Sequence, residues 1–112
     1  MNIKFKQATK IVQICLNLNY EKDESYTPNR IILRAGHDEY SIVQVFEYDI
    51  VKPNGWISYK VSNDRDDICA FFYQLIFPYN YLNGKDLRIR GLRLIAKRSL
   101  NSPVDELHSI ES

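Results

Sequence analysis

The chain has 112 residues, which suits one domain rather than two, and its 15 basic residues nearly balance 14 acidic ones for a formal net charge of +1. This balance gives no reason to expect a nucleic acid or an anionic membrane as a partner. Hydrophobic residues make up 45% of the chain, which excludes wholesale disorder, and the lack of a long apolar run predicts an intracellular protein without a signal peptide or membrane span.

Alternation of apolar and polar residues dominates the first half of the chain, and a period of two is that of a strand with one buried face. The strands predicted there cover residues 2–6, 12–18, 30–35 and 41–51. Residues 20–29 form a polar loop. The sequence Lys52-Pro53-Asn54-Gly55 then predicts a turn, because Asn-Gly suits a positive φ.

The sequence predicts further strands in the second half of the chain. The predicted strands cover residues 56–61, 68–77 and 87–95, with loops at 62–67 and 78–84. Residues 68–77 are nearly all apolar, which indicates a strand covered on both faces. Gly91 is expected to mark a β-bulge in the last strand. Short strands without a long amphipathic helix predict an all-β sandwich or barrel over 1–100, followed by a mobile polar tail over 101–112.

The usual signatures of catalysis are missing from the sequence, which has no Gly-rich phosphate loop, His-Glu-x-x-His pair or Cys-x-x-Cys pair. His37 lies in a predicted turn and His108 in the tail, so a shared metal site is not expected. Cys15 and Cys69 lie in apolar runs, where a thiol behaves as a small hydrophobe rather than a nucleophile. We therefore predict a protein that is not an enzyme and needs no cofactor.

Two loops carry more hydrogen-bonding side chains than a turn requires. They are residues 23–29 and residues 79–86, and both combine hydroxyl or amide groups with tyrosine rings. Loops of this kind on a rigid sandwich often bind ligands. Ser, Asn and Gly also shape turns without any binding role, and composition alone favours that interpretation.

The same loops resemble those of a known family, the DOC domain of anaphase-promoting complex subunit 10. The resemblance rests on Asp23-Glu24-Ser25-Tyr26-Thr27-Pro28, Val51-Lys52-Pro53-Asn54-Gly55-Trp56-Ile57 and Asn80-Tyr81-Leu82-Asn83-Gly84-Lys85-Asp86. The second run is similar to the family's Pro-Ser-Gly-Trp turn. The third, followed by Arg90 and Leu92, is similar to its Asn-x-x-Asn-Gly-Arg-Asp loop. The three runs occur in the family's order, and the match extends from about Asn2 to Ile95.

This resemblance implies a jelly-roll β-sandwich, similar to galactose-binding domains, in a non-catalytic subunit of the anaphase-promoting complex, a ubiquitin ligase of the cell cycle. It implies that the chain helps a WD40 coactivator to hold destruction-box degrons and so promotes processive ubiquitination. The expected partners are scaffold subunits, the coactivator and destruction-box substrates, in nucleus and cytoplasm. The degron-binding residues implied by position are Ser25, Tyr26, Asn83, Gly84, Lys85 and Asp86.

The chain departs from the family pattern in several places. Family members carry a substantial segment before the point where this chain begins, so the domain is expected to be incomplete at its N-terminus. The family's C-terminal Ile-Arg tail, which docks on a scaffold subunit, is replaced by Ile110-Glu111-Ser112. Lys85 stands where the family has arginine, keeping the charge but not the planar fork. Arg88 replaces a usual histidine, and Leu82 replaces a glutamine.

Other functions stay open beside this one. The chain could be a DOC-type protein-binding module of another ubiquitin ligase. It could also be a carbohydrate-binding jelly roll, in which Tyr26, Tyr79 and Tyr81 would stack on sugar rings. An enzyme ranks last, because no acid, base, nucleophile and metal set converges in the sequence.

Overall fold

A computed structural model describes residues 1–61 and 69–97 in full and the backbone of residues 105–111. The strands in these ranges are β1 (Asn2–Asn19), β2 (Arg30–Gly36), β3 (Ile42–Asp49), β4 (Asn54–Lys60), β5 (Ala70–Ile76), β6 (Gly91–Lys97) and β7 (Asp105–Glu111). The helical pieces are one turn, α1 (Tyr20–Asp23), and two 3₁₀ turns, Glu24–Tyr26 and Tyr81–Asn83. None of these described helices is long and apolar enough to cross a membrane.

The long strand β1 belongs to both sheets of the protein. Its residues Asn2 to Thr9 pair with β5, whereas Lys10 to Asn17 pair with β6 on one side. The other side of this second half pairs with β4. One sheet therefore has the order β3-β2-β5-β1 and the other the order β4-β1-β6-β7, with every pairing antiparallel. The all-β jelly-roll sandwich expected from the sequence is confirmed.

The inward faces of the two sheets form a hydrophobic core. The period of two places every second side chain on this face. The fully buried aliphatic side chains include Ile11, Ile14, Leu16 and Leu18 of β1, Ile31 and Leu33 of β2, Ile50 after β3, Leu75 of β5, and Leu92 and Leu94 of β6. Full burial of one such side chain contributes about 1.5–3 kcal/mol. These contacts hold the strand ends in place, and the loops at those ends form the candidate site.

Three predicted elements differ from the structure. The two strands expected at 2–6 and 12–18 are one strand, whose pairing with β5 shifts register between Lys4 and Thr9. The strand expected at 87–95 begins only at Gly91. Residues 87–90 lie outside it, and the N–H of Arg88 donates instead to the carbonyl of Tyr26, in the loop after β1, at 2.8 Å.

The bulge predicted at Gly91 is also wrong, because Gly91 pairs regularly with Asn17 and the register instead shifts between Ile11 and Gln13. Gly91 is needed for space. A Cβ there would lie 2.8 Å from Cη2 of Trp56, whose ring packs over this position.

The C-terminal segment contains a strand that the sequence did not indicate. β7 pairs along β6, so residues 105–111 of the expected polar tail form the outer strand of the second sheet. Strand β5 lies where a strand covered on both faces was predicted, and its neighbours Phe72 and Tyr73 are both buried. Both cysteines are free and only half-buried, less enclosed than their apolar neighbours indicated. The loop predicted at 62–67 lies outside the described residues.

Candidate functional site

Three segments meet at one end of the sandwich: the first loop (residues 20–29), the second loop (residues 78–90) and the β3–β4 turn (residues 50–53). Backbone hydrogen bonds join them. The N–H of Asn29 donates to the carbonyl of Tyr79, and the N–H of Tyr81 donates to the carbonyl of Thr27, each at 3.0 Å. The N–H of Ile50 donates to the carbonyl of Asn29 at 2.9 Å. The loops are therefore extensions of the sheet framework rather than independent segments.

The side chain of Asn80 links the first and second loops. Its amide donates to the carbonyl of Ser25 at 3.1 Å and to the carbonyl of Asp86 at 2.6 Å. Asn80 is buried, and a buried amide is costly unless it is hydrogen-bonded. The two bonds meet that requirement and hold Ser25 in a fixed position relative to the second loop.

An ion pair fixes the other side of the first loop. The carboxylate of Asp23 is buried and accepts two hydrogen bonds from Arg90, from Nε and from Nη2, each at 2.9 Å. Nη1 of Arg88 lies 3.7 Å away. The hydrogen bonds from Arg90, together with the positive charges of Arg90 and Arg88, hold the pKa of Asp23 below its usual value. Burial of the carboxylate acts in the opposite direction and is outweighed. The ionised carboxylate therefore ties the first loop to the residue before β6.

Tyr81 connects the second loop to the β3–β4 turn. Its hydroxyl donates to the carbonyl of Ile50 and accepts from the N–H of Lys52 at 2.8 Å. Its ring packs edge-on against Tyr20, with ring centroids 4.7 Å apart. The ammonium of Lys52 lies 5.8 Å from the centroid of Tyr20. All three segments are thus held by side chains as well as by backbone.

The closest approach between the two loops is at Gly84. Its φ is an ordinary −63°, so any residue could adopt the conformation. A Cβ at this position, however, would lie 1.7 Å from the carbonyl oxygen of Ser25, which no side chain can tolerate. Leu82 and Asn83 before it both have a φ of 56°, which asparagine adopts more easily than leucine. Glycine therefore permits the contact that places Ser25 beside the turn carrying Asn83.

The structure brings together the predicted site residues of the first loop and those of the second loop. Ser25 is half-buried. Four other predicted residues have exposed side chains: Tyr26, Asn83, Lys85 and Asp86. Gly84 packs on Ser25 itself. Their role in holding a degron stays a prediction.

Sequence reasoning named Asp23, Asn80, Tyr81 and Arg90 only within longer runs or for other roles, and did not predict that they hold the loops together. All four lie inside or beside the runs that carried the family resemblance. No local pattern in the sequence indicates that their partners are in other segments.

The arrangement is chemically suited to binding. Exposed amide, ammonium and carboxylate groups lie beside the exposed rings and aliphatic side chains of Tyr26, Leu82 and Leu87. In residues 1–61 and 69–97, no three His, Cys, Asp or Glu side chains gather where they could hold a metal ion. A surface of this composition can contact an extended peptide through both polar and apolar groups.

Comparison with known proteins points to one family. The model of the family described as anaphase-promoting complex, subunit 10, matches residues 1–109. Anaphase-promoting complex subunit 10 of Homo sapiens is 29% identical over 107 residues, covering 95% of this chain and 55% of that protein. The Drosophila melanogaster protein of the same name is 31% identical over 109 residues, covering 96% and 53%.

A fungal relative gives the same result. Anaphase-promoting complex subunit DOC1 of Saccharomyces cerevisiae is 29% identical over 111 residues, covering 96% of this chain and 44% of that protein. The chain thus spans about half the length of the curated relatives it matches.

Proposed function

Because this chain belongs to the anaphase-promoting complex subunit 10 family, we propose that it acts as a non-catalytic substrate-recognition part of an anaphase-promoting complex. In this role it works in nucleus and cytoplasm with a WD40 coactivator and the scaffold subunits. It helps the coactivator to hold destruction-box degrons, and so prolongs each encounter between substrate and ligase. The observation that supports this most is the contact of Gly84 with Ser25, which unites the two loops at one end of the sandwich.

The chemistry of the loops fits an extended peptide. A peptide in this conformation presents N–H and C=O groups that have no partner within its own chain. The hydroxyl of Ser25 and the amide of Asn83 can each donate and accept hydrogen bonds to such groups. Two loops with few anchoring side chains bind weakly alone. Sharing the peptide with a coactivator raises the effective concentration and with it the overall affinity.

The decisive experiment is the double substitution Ser25→Ala with Asn83→Ala, introduced into a reconstituted ligase that contains this chain. Two hydrogen bonds of roughly 0.7 kcal/mol each correspond to about a tenfold loss of degron affinity. We expect fewer ubiquitins to be added per encounter, because the substrate dissociates sooner. Single-turnover ubiquitination measures this number directly.

A matched control is the pair Ser58→Ala with Asn54→Ala, which changes the same residue types at exposed positions of β4. This control should leave processivity unchanged, and thermal unfolding should show that both double variants fold. Processivity equal to that of the unmodified chain in the Ser25/Asn83 variant would refute the assignment of the site. Copurification of the tagged protein with a different ubiquitin ligase would move the same binding module to that ligase.

A further inference from the structure

A cleft of about 270 Å³ lies at the end of the sandwich away from the candidate site, beside the β2–β3 turn (residues 37–41). Strand β2 begins directly after the first loop and ends at Gly36, so its seven residues separate the turn from the loops by roughly 20 Å. The cleft is therefore distinct from the site proposed for the degron.

Aromatic rings line most of this cleft. Phe72 is buried, and the rings of Phe5 and Phe71 are half-buried. The imidazole of His37 packs edge-on against Phe71, with ring centroids 5.3 Å apart, and Tyr40 is 88% exposed. The faces of phenylalanine and tyrosine rings are rich in electrons and attract cations.

Hydrogen bonds hold the turn that carries His37 and Tyr40 in one conformation. Oδ1 of Asp38 accepts from the N–H of Tyr40 at 2.9 Å, and from the N–H and the hydroxyl of Ser41 at 3.0 and 2.9 Å. These bonds keep the pKa of Asp38 below its usual value, so its carboxylate is ionised at neutral pH. A Cβ at Gly36 would lie 2.3 Å from the carbonyl oxygen of Ser41, so a side chain there would force the turn open. The rim of the cleft is thus formed before any ligand arrives.

The charged side chains that line the cleft are those of Lys4, Asp38 and Glu39. With histidine counted as neutral, two carboxylates and one ammonium give the lining itself a net charge of −1. Within the described residues, neither Lys4 nor Glu39 forms an ion pair. Both side chains are exposed, and the long stem of Lys4 lets its ammonium turn toward water. The carboxylates and the rings therefore favour a cation over an anion.

We propose that this cleft binds the cationic side chain of a lysine or arginine that belongs to a partner protein. The charged end lies between the carboxylates of Asp38 and Glu39 and the ring of Tyr40, and the aliphatic stem packs on Phe71. Because the turn is already ordered, little conformational entropy is lost on binding. The inference goes beyond the proposed function, since it gives the opposite end of the domain a partner of its own.

The test uses two end-blocked pentapeptides of glycine that differ at the central residue, lysine in one and acetyl-lysine in the other. Acetylation keeps the stem and removes the charge. Each peptide is titrated at neutral pH into the isotopically labelled full chain and followed by ¹H–¹⁵N spectra. We expect the lysine peptide to shift the amide signals of Glu39, Tyr40 and Phe71 and to bind about fivefold more tightly than the acetyl-lysine peptide. Salt at about 0.5 M should reduce this preference, because the charges are exposed.

Substitutions then identify the groups that recognise the charge. Glu39→Gln should reduce the preference for lysine to less than about twofold, and Tyr40→Ala should weaken binding of the lysine peptide. Lys4→Gln should strengthen binding of that peptide by about twofold, because it removes the one cation of the lining. Glu21→Gln is the matched control, since it removes an exposed carboxylate from α1 at the other end of the domain. It should leave the preference unchanged.

Equal binding of the two peptides would overturn the inference, as would a preference for lysine that survives Glu39→Gln. Weaker binding of the lysine peptide to Lys4→Gln would also overturn it, because the ammonium would then be a binding group. Shifts confined to residues 20–29 and 78–90 would place the peptide at the loops and overturn the cleft alone. The proposed function is tested separately by processivity, which none of these outcomes decides.

Discussion

Replacing Arg90 by alanine should destabilise the protein more than replacing Asp23 by asparagine, although both substitutions remove the same ion pair. The reason is that the two partners differ in exposure. The side chain of Asp23 is 2% exposed, whereas that of Arg90 is 34% exposed. Without Arg90, a buried carboxylate loses both of its short hydrogen bonds and keeps only Arg88 at 3.7 Å. Without the charge of Asp23, the guanidinium of Arg90 is still reached by water.

The magnitudes follow from this difference. Leaving a charge buried and unpaired costs about 3–5 kcal/mol, and the remaining Arg88 places Arg90→Ala near the lower limit. Asp23→Asn keeps the shape and one acceptor, so its cost should be about 1 kcal/mol. With both substitutions present, no buried charge is left without a partner. The double variant should therefore be more stable than the sum of the two losses indicates.

Urea unfolding followed by circular dichroism measures these differences. A loss of about 3 kcal/mol moves the midpoint by roughly 2 M urea for a domain of this size. The matched control is Arg30→Ala, which breaks a pair with Asp49 whose two side chains are both well exposed. That pair should contribute no more than about 1 kcal/mol.

The pH dependence gives a second check on the same pair. The pKa of Asp23 is lowered in the folded state. The pair therefore contributes its full stabilisation of the folded state at pH values above the usual pKa of 3.8. This stabilisation is lost as the pH falls below 3.8 and through the folded pKa, because protonation removes the charge. The difference between the unmodified chain and Arg90→Ala should therefore shrink as the pH is lowered from 7 to 3. Equal costs for the two single substitutions, or a difference independent of pH, would refute the reasoning.

Three further substitutions test how the loops are held. Gly84→Ala should force the loops apart at a cost of at least 1–3 kcal/mol, typical of overpacking, and shift the amide signals of both loops. Lys85→Ala should leave those signals in place, and an unchanged Gly84→Ala spectrum would contradict the close approach. Asn80→Ala should cost about 1 kcal/mol in urea unfolding, since the carbonyls of Ser25 and Asp86 lose their donor, and a loss under 0.5 kcal/mol would show that water replaces the amide. Tyr81→Phe should cost about 1 kcal/mol in the same assay through its hydroxyl alone. Tyr20→Phe serves as its control, and equal losses would contradict the role of that hydroxyl.

Several strands could be predicted from the sequence because their signal is local. In β2 and β4, side chains alternate between the core and the outer face, and the alternation of residue types records this directly. In β5 the apolar run indicates cover on both faces, which the buried Phe72 and Tyr73 confirm. The polar runs at 20–29 and 78–84 form no strand, as predicted, because their residue types favour turns, although short helical turns that were not predicted lie within both.

Elements whose structure depends on distant partners could not be predicted. Residues 87–90 alternate like a strand, yet Arg88 donates its N–H to Tyr26 in the first loop instead of continuing β6. The polar residues of β7 form a strand because β6 offers them an unpaired edge. Gly91 carries no bulge. Its lack of a side chain instead leaves room for the ring of Trp56 in β4.

For the candidate site, the sequence by itself determined the composition of two loops and, through their resemblance to a family, their expected role. It could not determine how the loops meet. Asp23 and Arg90 are 67 residues apart, and Ser25 and Asn80 are 55 apart. Their contacts form only when β1 crosses between the sheets and the core closes. Residue type and local spacing are properties of a short segment, whereas the position of one loop against another depends on how all the strands between them pack.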